Sequence, residues 1–358
     1  MSELSSFLNS LLSAPGLSGY ETPVGELIAE KWRPQVDEIS FSRLGSLHGL
    51  QKGSLAASGA SKPPAILVAT HMDAIGLMVT HIVDGWLHVT AIGGIDARVL
   101  PGTPVTVHGR QPLFGVIVQP SAHGLPASVG DGPVGIDHLL VDLGLAHKQV
   151  LEKVHIGDLV SFATEPTELA GEVISGHSLD NRVSVAALTL ALEELRWKSH
   201  AWDVWAVATA QEEVTLGGAA TSAFALHPDL ALAVDVTFAK GPGASDWQTY
   251  ALGKGPTLGY GPNLHPFLHK RLKELAERLE IPCSVEVLPR HSGTDAFATQ
   301  VAREGIPTMV IGIPLRYMHT PVEVVAYKDI QRAGRLMAEF IAGLEADFME
   351  KIVWEEEQ

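Results

Sequence analysis

Ala208-Thr209-Ala210-Gln211-Glu212-Glu213-Val214-Thr215-Leu216-Gly217-Gly218 is the stretch on which the reading of the chain turns. An apolar run with strand character, from Val204 to Ala210, stops at two adjacent carboxylates, and a glycine pair then opens a helix. A buried strand running into a helix belongs to an α/β sheet, where ligands bind beyond the carboxyl ends of the strands. Two carboxylates at such a position suit a cation or a proton. The ordinary alternative is a solvated surface turn, and the rest of the chain decides between the two.

Working outward, other apolar runs end in the same kind of residue. Ala65-Ile66-Leu67-Val68-Ala69-Thr70 is followed by His71-Met72-Asp73. Leu230 to Val234 runs into Asp235, and Thr308 to Ile313 leads through a short loop to His319. Asp180 lies in His177-Ser178-Leu179-Asp180-Asn181-Arg182, at the start of a helix expected to reach about Arg196. Strands at 202–210, 230–236, 284–288 and 307–313 alternate with helices from about Gly217 and at about 265–279, 294–303 and 328–344. That alternation predicts an α/β sheet with helices on both faces.

Toward the N-terminus, Leu4, Phe7, Leu8, Leu11 and Leu12 have helical spacing, stopped by Pro15-Gly16. Thr22 is expected to cap a second helix, with Pro23 in its first position, running to about Trp32. Residues 37–50 read as a hairpin. Between about Ile75 and Glu172 the texture changes to short alternating segments such as Trp86–Thr90, Val105–His108, Gly115–Val118 and Asp158–Phe162. Gly and Pro turns separate them, with one short helix near 147–154, so this part reads as a small β-rich domain. The expected organisation is a catalytic α/β domain of residues 1–73 and 173–358, with residues 74–172 inserted.

The 41 acidic against 25 basic residues give a formal charge of −16, which excludes nucleic acid or an anionic membrane as the main partner. Buried carboxylates neutralised by metal would account for part of that excess. The single cysteine, Cys283, rules out an internal disulfide and fits a reducing compartment. The first residues lack the basic stretch of a secretion signal, and no apolar run reaches the length of a membrane span, so a cytoplasmic location is expected.

Carboxyl ends of strands gather along one crevice, so His71, Asp180, Glu212, Glu213, Asp235 and His319 are expected to converge. Singly, each has an ordinary account: Asp180 as a helix cap, Asp235 as a strand end, His71 as a core histidine. Mixed His and carboxylate ligands without cysteine suit zinc, cobalt or manganese. The number of donors is too large for one tetrahedral ion and suits two ions sharing a bridge, which can hold a hydroxide made from water. Asp73, two residues beyond His71, can orient its imidazole. Of the adjacent Glu212 and Glu213, one can bind metal while the other serves as general base.

Six motifs occur in order: Thr70-His71-Met72-Asp73-Ala74-Ile75-Gly76, Ser178-Leu179-Asp180-Asn181-Arg182, Gln211 to Gly218, Val234-Asp235-Val236-Thr237, Ser292-Gly293-Thr294-Asp295-Ala296 and Met318-His319-Thr320-Pro321. With Gly94 to Gly102 between them, the chain resembles, over nearly its whole length, the cytosolic di-metal aminopeptidases of the glutamyl aminopeptidase / tetrahedral (TET) aminopeptidase family. The resemblance implies one metal on His71 and Asp235, a second on Glu213 and His319, and Asp180 bridging. It implies Glu212 as general base with Asp73 supporting His71. It further implies a phosphorylase/hydrolase-like mixed sheet carrying a β-barrel-like insertion, peptide substrates, and dimers that build dodecamers. The chain departs from the family's usual residues at His291-Ser292 and at His138-Leu139-Leu140. His291, Gly293, Thr294 and the loop from Phe238 to Trp247 are therefore the candidates for substrate binding. A di-metal deacylase of N-acylated metabolites is the alternative enzyme, and an assembly protein with a remnant site is the alternative outside enzymes.

Overall fold

In the strand Ala65–His71, Ile66 and Val68 join one large apolar core while Leu67 and Ala69 join a second, smaller one, and all four are buried. A strand with both faces covered is what its unbroken apolar run requires. In the computed structural model, which describes residues 3–57, 63–125, 129, 132–245 and 247–354, it lies near the middle of an eleven-stranded mixed sheet. Four parallel strands form the centre, in the order Asp203–Thr209, Ala65–His71, Leu230–Phe238 and Thr308–Arg316. The hairpin Glu38–Phe41 and Leu47–Gln51 extends one side. Glu323–Ala326, Val173–Gly176 and Thr167–Leu169 extend the other. Thr257–Tyr260 also pairs with the Thr308–Arg316 strand and carries Ser284–Val287 beside it.

The long helices Leu179–Leu195 and Tyr327–Ala342 pack together within the larger core. Ala223 of the helix Gly217–Leu226, with Ala302 and Ile306, closes the opposite face over Leu67, Ala69, Val207 and Ala231. Each fully buried aliphatic side chain contributes roughly 1.5–3 kcal/mol, so these two layers dominate the stability of the sheet. Arg182, fully buried, ties the first helix to this core by donating to the carbonyls of Leu11 and, at 2.7 Å, Ala14. That bond set fixes the end of the helix Glu3–Ser13 next to the segment that carries Asp180.

Six short strands close into a barrel in the order Gly76–Val83, Trp86–Ile92, Leu140–Asp142, Pro112–Val118, Pro104–His108 and Leu159–Phe162. Leu77 and Val79, Leu87 and Val89, Val105 and Val107 alternate into its core, as period-two segments should. Closure leaves no unpaired strand edge. Leu139 is buried in that core, so one departure from the family's residues is absorbed by barrel packing. Residues 130 and 131 of the glycine-rich segment before it lie outside the described residues.

Some local expectations need correction. Thr22 does not cap the second helix; Glu21 holds the cap position of Thr22–Trp32, and its carboxylate instead accepts from the N–H groups of Gly19 at 2.6 Å and Gln211 at 2.9 Å. The helix expected at 294–303 is confined to Asp295–Gln300, with Thr294 outside it as its N-terminal cap. Strands Thr257–Tyr260 and Glu323–Ala326 were not apparent from periodicity; each has only four residues. Among the described residues no helix is long and apolar enough to cross a membrane.

Candidate metal centre

The parallel register sets Thr209 beside His71 and Asp235 beside Gly312. Three residues past Thr209 the chain turns sharply, with Gln211 at φ 60° and Leu216 at φ 54° on either side of the short helix Glu212–Thr215. The next helix returns against the strand end: the Gly218 N–H donates to the carbonyl of Ala210 at 3.0 Å. A Cβ on Gly218 would lie 2.2 Å from that carbonyl oxygen, so the second glycine of the opening stretch is a steric requirement.

Asp73 fixes this turn from below. Its carboxylate accepts from the Glu212 N–H at 3.0 Å and the Glu213 N–H at 3.1 Å. It also stands 3.5 Å from His71 Nδ1, whose closer contact, at 3.2 Å, is the carbonyl oxygen of Asp73. One buried acid thus orients the imidazole and both adjacent glutamates.

Asp180 stands between two imidazoles. Its Oδ1 is 3.1 Å from His71 Nε2, and its Oδ2 is 3.4 Å from His319 Nε2. His71 Nε2 is also 3.6 Å from Asp235 and 3.8 Å from Glu212. His319 Nε2 is 3.5 Å from Glu213. Glu212 and Glu213 therefore diverge, one toward the His71 and Asp235 side and one toward His319. Two donor groups, His71–Glu212–Asp235 and His71–Asp180–Glu213, each gather within 4.8 Å.

Sequence reasoning missed Glu323, which is 1% exposed. Its two oxygens accept from the backbone N–H of Asp180 at 3.1 Å and of His319 at 2.9 Å, holding His319 at φ 62°. The available signal was a charged residue heading the otherwise apolar Glu323-Val324-Val325-Ala326. Asp295 was quoted only as part of a motif; buried, it accepts from the Thr209 hydroxyl at 2.5 Å.

A cavity of about 1050 Å³ opens over this cluster. His71, Asp180, Glu212, Glu213, Asp235 and His319 line it, as do His291, Gly293 and Thr294. Thr294 Oγ1 also caps the following helix by accepting from Ala296 at 3.3 Å, Gly293 sits at φ 70°, and His291 packs on Phe297 with ring centroids 5.2 Å apart. Of the loop from Phe238 to Trp247, Phe238, Ala239, Ala244 and Ser245 reach the cavity, and residue 246 lies outside the described residues.

The electrostatics describe a site short of positive charge. Burial, reinforced by Asp235, Asp295 and Glu213, pushes Glu212 up to about 10, and burial with Asp180 pushes Glu213 up to about 8. Burial also raises Asp235 and Glu323. The Asp180 carboxyl is held low: burial opposes its ionisation, but hydrogen bonding from His319 and His71 prevails. Burial works against charge on His71, yet Glu212, Asp180, Asp235 and Asp73 carry it well above its ordinary value. Glu213 Oε1 is buried without any partner. So many crowded carboxylates with an unused buried oxygen fit divalent cations, which need oxygen and imidazole donors and relieve the repulsion.

A pH dependence follows for the metal-free chain. The folded-state pKa values of Glu212 and Glu213 lie above the ordinary 4.5, so the stability they contribute is complete below about that pH and is lost as pH rises through about 8 and then about 10. The raised histidines act in the same direction. With chelator, the melting temperature should fall steadily from pH 6 to 9, and excess divalent metal should flatten that fall. A chelated protein equally stable at both pH values would contradict the buried-carboxylate account.

The signature of the M42 glutamyl aminopeptidases matches residues 53–336 of the chain. The chain belongs to the M42 glutamyl aminopeptidase family. This M42 enzyme is 36% identical to the lysyl aminopeptidase of Pyrococcus furiosus over 92% of its own length and 94% of the relative's. Its fold superposes with a TM-score of 0.91 on a TET aminopeptidase from Thaumarchaeota archaeon SCGC AB-539-E09, 29% identical, covering 98% of this chain and 100% of that one. It matches the Pyrococcus horikoshii TET1 peptidase, described as able to assemble into a tetrahedron or a large octahedral shell, with a TM-score of 0.81 at 28% identity over 96% and 100% of the two chains. The chain is thus an aminopeptidase, a hydrolase acting on peptides, with the mixed sheet and barrel that the resemblance implied.

Proposed function

We propose that this M42 aminopeptidase removes N-terminal residues from peptides by hydrolysis at a centre of two divalent metal ions. The observation that carries this reading is the two-sided position of Asp180, with one carboxylate oxygen toward His71 and the other toward His319. In this reading His71 and Asp235 hold one ion, Glu213 and His319 the other, and Asp180 is shared. Zinc, cobalt and manganese all suit these donors. When bound, such ions supply Lewis acidity toward the scissile carbonyl and lower the pKa of water toward ~7.

The remaining work falls to the chain itself. Glu212 takes a proton from the attacking water and returns it to the departing amine nitrogen as the peptide C–N bond breaks. Asp73 holds the Glu212–Glu213 turn and the His71 ring in register. Glu323 fixes the backbone of Asp180 and His319. The cavity wall, including His291, Gly293 and Thr294, receives the N-terminal residue. Asp73 and Glu323 are positioning residues.

Residues 74–172 are proposed as an insertion into an α/β domain of residues 1–73 and 173–358. The closed barrel formed by strands between residues 76 and 162 supports it, although Thr167–Leu169 already pairs with the large sheet. Self-association into a dimer-based dodecamer is proposed by analogy with the tetrahedral assembly of the relative, and a cytoplasmic location from the acidic chain with one cysteine.

The test is a panel of aminoacyl chromogenic substrates with free and N-acetylated α-amines, run after chelation and again after adding back zinc, cobalt or manganese. Hydrolysis of free-amine substrates only, restored by metal, is expected. Preferential cleavage of the acetylated series would point instead to a deacylase.

A further inference from the structure

In the turn that carries the two adjacent glutamates, three successive backbone N–H groups are taken by buried carboxylates. Asp73 accepts from Glu212 and Glu213, while Glu21 accepts from Gln211 at 2.9 Å across 190 positions of sequence. Glu21 is 4% exposed, and no step of the proposed reaction uses it. The same oxygen accepts from the Gly19 N–H at 2.6 Å. Burial pushes the Glu21 carboxyl up, the Gly19 N–H pulls it back, and the nearby Asp73 pushes it up again. A space that only needed filling would be better served by an apolar side chain than by a second buried acid.

The segment before Glu21 is itself pinned to the site. Leu17 bridges to Ala74, the residue after Asp73. The Ala74 N–H donates to the Gly16 carbonyl at 3.0 Å, and the Ser18 N–H donates to the Ala74 carbonyl at 3.1 Å. Arg182, two residues past Asp180, donates to the carbonyls of Ala14 at 2.7 Å and Gly16 at 3.4 Å. Glu21 therefore has a fixed place relative to both Asp73 and Asp180.

Gln211 is where such support is required. It is not a glycine, yet it lies in the left-handed region at φ 60°, ψ 32°, which an ordinary side chain disfavours. Its own side chain makes no capping bond, and its carbonyl accepts from the Thr215 N–H at 3.0 Å. From this step the chain leaves the strand Asp203–Thr209 so that Glu212 faces His71 and Asp235 while Glu213 faces His319. A conformation of this kind persists where the surroundings impose it, and the bond to Glu21 imposes it at the Gln211 N–H.

We propose that Glu21 is a positioning residue for the reaction: by accepting from the Gln211 N–H it enforces the left-handed turn that separates the base Glu212 from the ligand Glu213. The inference rests on the di-metal aminopeptidase reading above.

The experiment measures kcat, KM and bound metal on the same metal-loaded, full-length samples, with free-amine aminoacyl substrates. Glu21→Met keeps an unbranched side chain of similar length without an oxygen acceptor. Its kcat should fall by about 10- to 100-fold, the scale of a displacement of about 1 Å at a reacting group. KM and bound metal should stay at their wild-type values, because Asp73 still holds the Glu213 N–H. Glu21→Gln keeps an accepting oxygen and should stay within about threefold of the wild-type kcat. Combining Glu21→Met with Gln211→Gly should restore most of the lost kcat, since glycine adopts the left-handed turn unaided. A role for Glu21 in packing alone predicts no such rescue. An unchanged kcat in Glu21→Met, a Glu21→Gln as impaired as Glu21→Met, or a double variant without recovery would each overturn the proposal. Loss of metal along with kcat would also overturn it, by making Glu21 a support of the ligands. If Glu21→Met does not fold, the double variant decides: folded and active it supports the proposal, folded and impaired or unfolded it overturns it. These outcomes concern this inference alone, whereas no hydrolysis of any free-amine substrate by metal-loaded wild type would sink the underlying reading as well.

Discussion

Glu212→Gln is expected to lower kcat by about 100- to 10,000-fold, the usual contribution of a general base, while bound metal per chain stays at the wild-type value. The substitution keeps the shape of the side chain. It also keeps the Glu212 N–H bond to Asp73, 3.0 Å, because that donor belongs to the backbone. What is lost is the ability to take a proton. At 3.8 Å from His71 Nε2 the Glu212 carboxylate is not tied into a hydrogen bond there, which leaves it available to water. Its elevated pKa, up to about 10 without metal, reflects burial and the surrounding acids, and cations bound beside it pull it toward the working range. The competing assignment is specific: Glu212 shares a donor group with His71 and Asp235 and so has the proximity of a ligand. Steady-state kinetics with elemental analysis of the same sample decides. Near wild-type turnover would remove the base assignment, and loss of metal along with activity would make Glu212 a ligand instead.

The parts of this site that were legible in the sequence share one physical cause. Strands buried on both faces appear as apolar runs, so the residues where they stop, His71, Glu212 and Glu213, and Asp235 within such a run, stand out without knowledge of the fold. The groups that were not legible act across the fold. Glu323 follows His319 by four residues, but its contact with Asp180 spans 143 positions and depends on a short strand that periodicity does not reveal. Asp73 was readable as a partner for His71, yet its bonds to the Glu212–Glu213 turn exist only because two parallel strands end side by side. Glu21 is the same case in reverse: local capping rules favoured Thr22, and a distant N–H at Gln211 drew the neighbouring acid instead.

Asp180→Ala is expected to have the largest effect of any single substitution on bound metal, removing most of it and reducing kcat/KM by more than about 1000-fold, since the electrostatic contribution of metal ions amounts to several kcal/mol. The argument is geometric. Every other proposed ligand is assigned to one ion, His71 having a single Nε2 to offer, but the two oxygens of Asp180 face His71 and His319 separately. Losing it therefore weakens both positions at once, whereas His319→Ala should weaken one. Asp180 and Asn181 depart from helical backbone inside Leu179–Leu195, and Glu323 holds the Asp180 N–H, so the main chain is built to present this carboxylate and not to use it as a helix cap. In the metal-free chain the substitution removes an acid that the histidines hold in its charged form, leaving His71 and His319 with fewer counter-charges. Equilibrium dialysis with zinc, cobalt or manganese, followed by elemental analysis, measures the loss directly. Graded behaviour is the diagnostic: wild type highest, His319→Ala intermediate, Asp180→Ala lowest. If Asp180→Ala retains as much metal as His319→Ala, the shared position assigned to Asp180 is wrong, because a ligand of one ion alone cannot cost more than that ion.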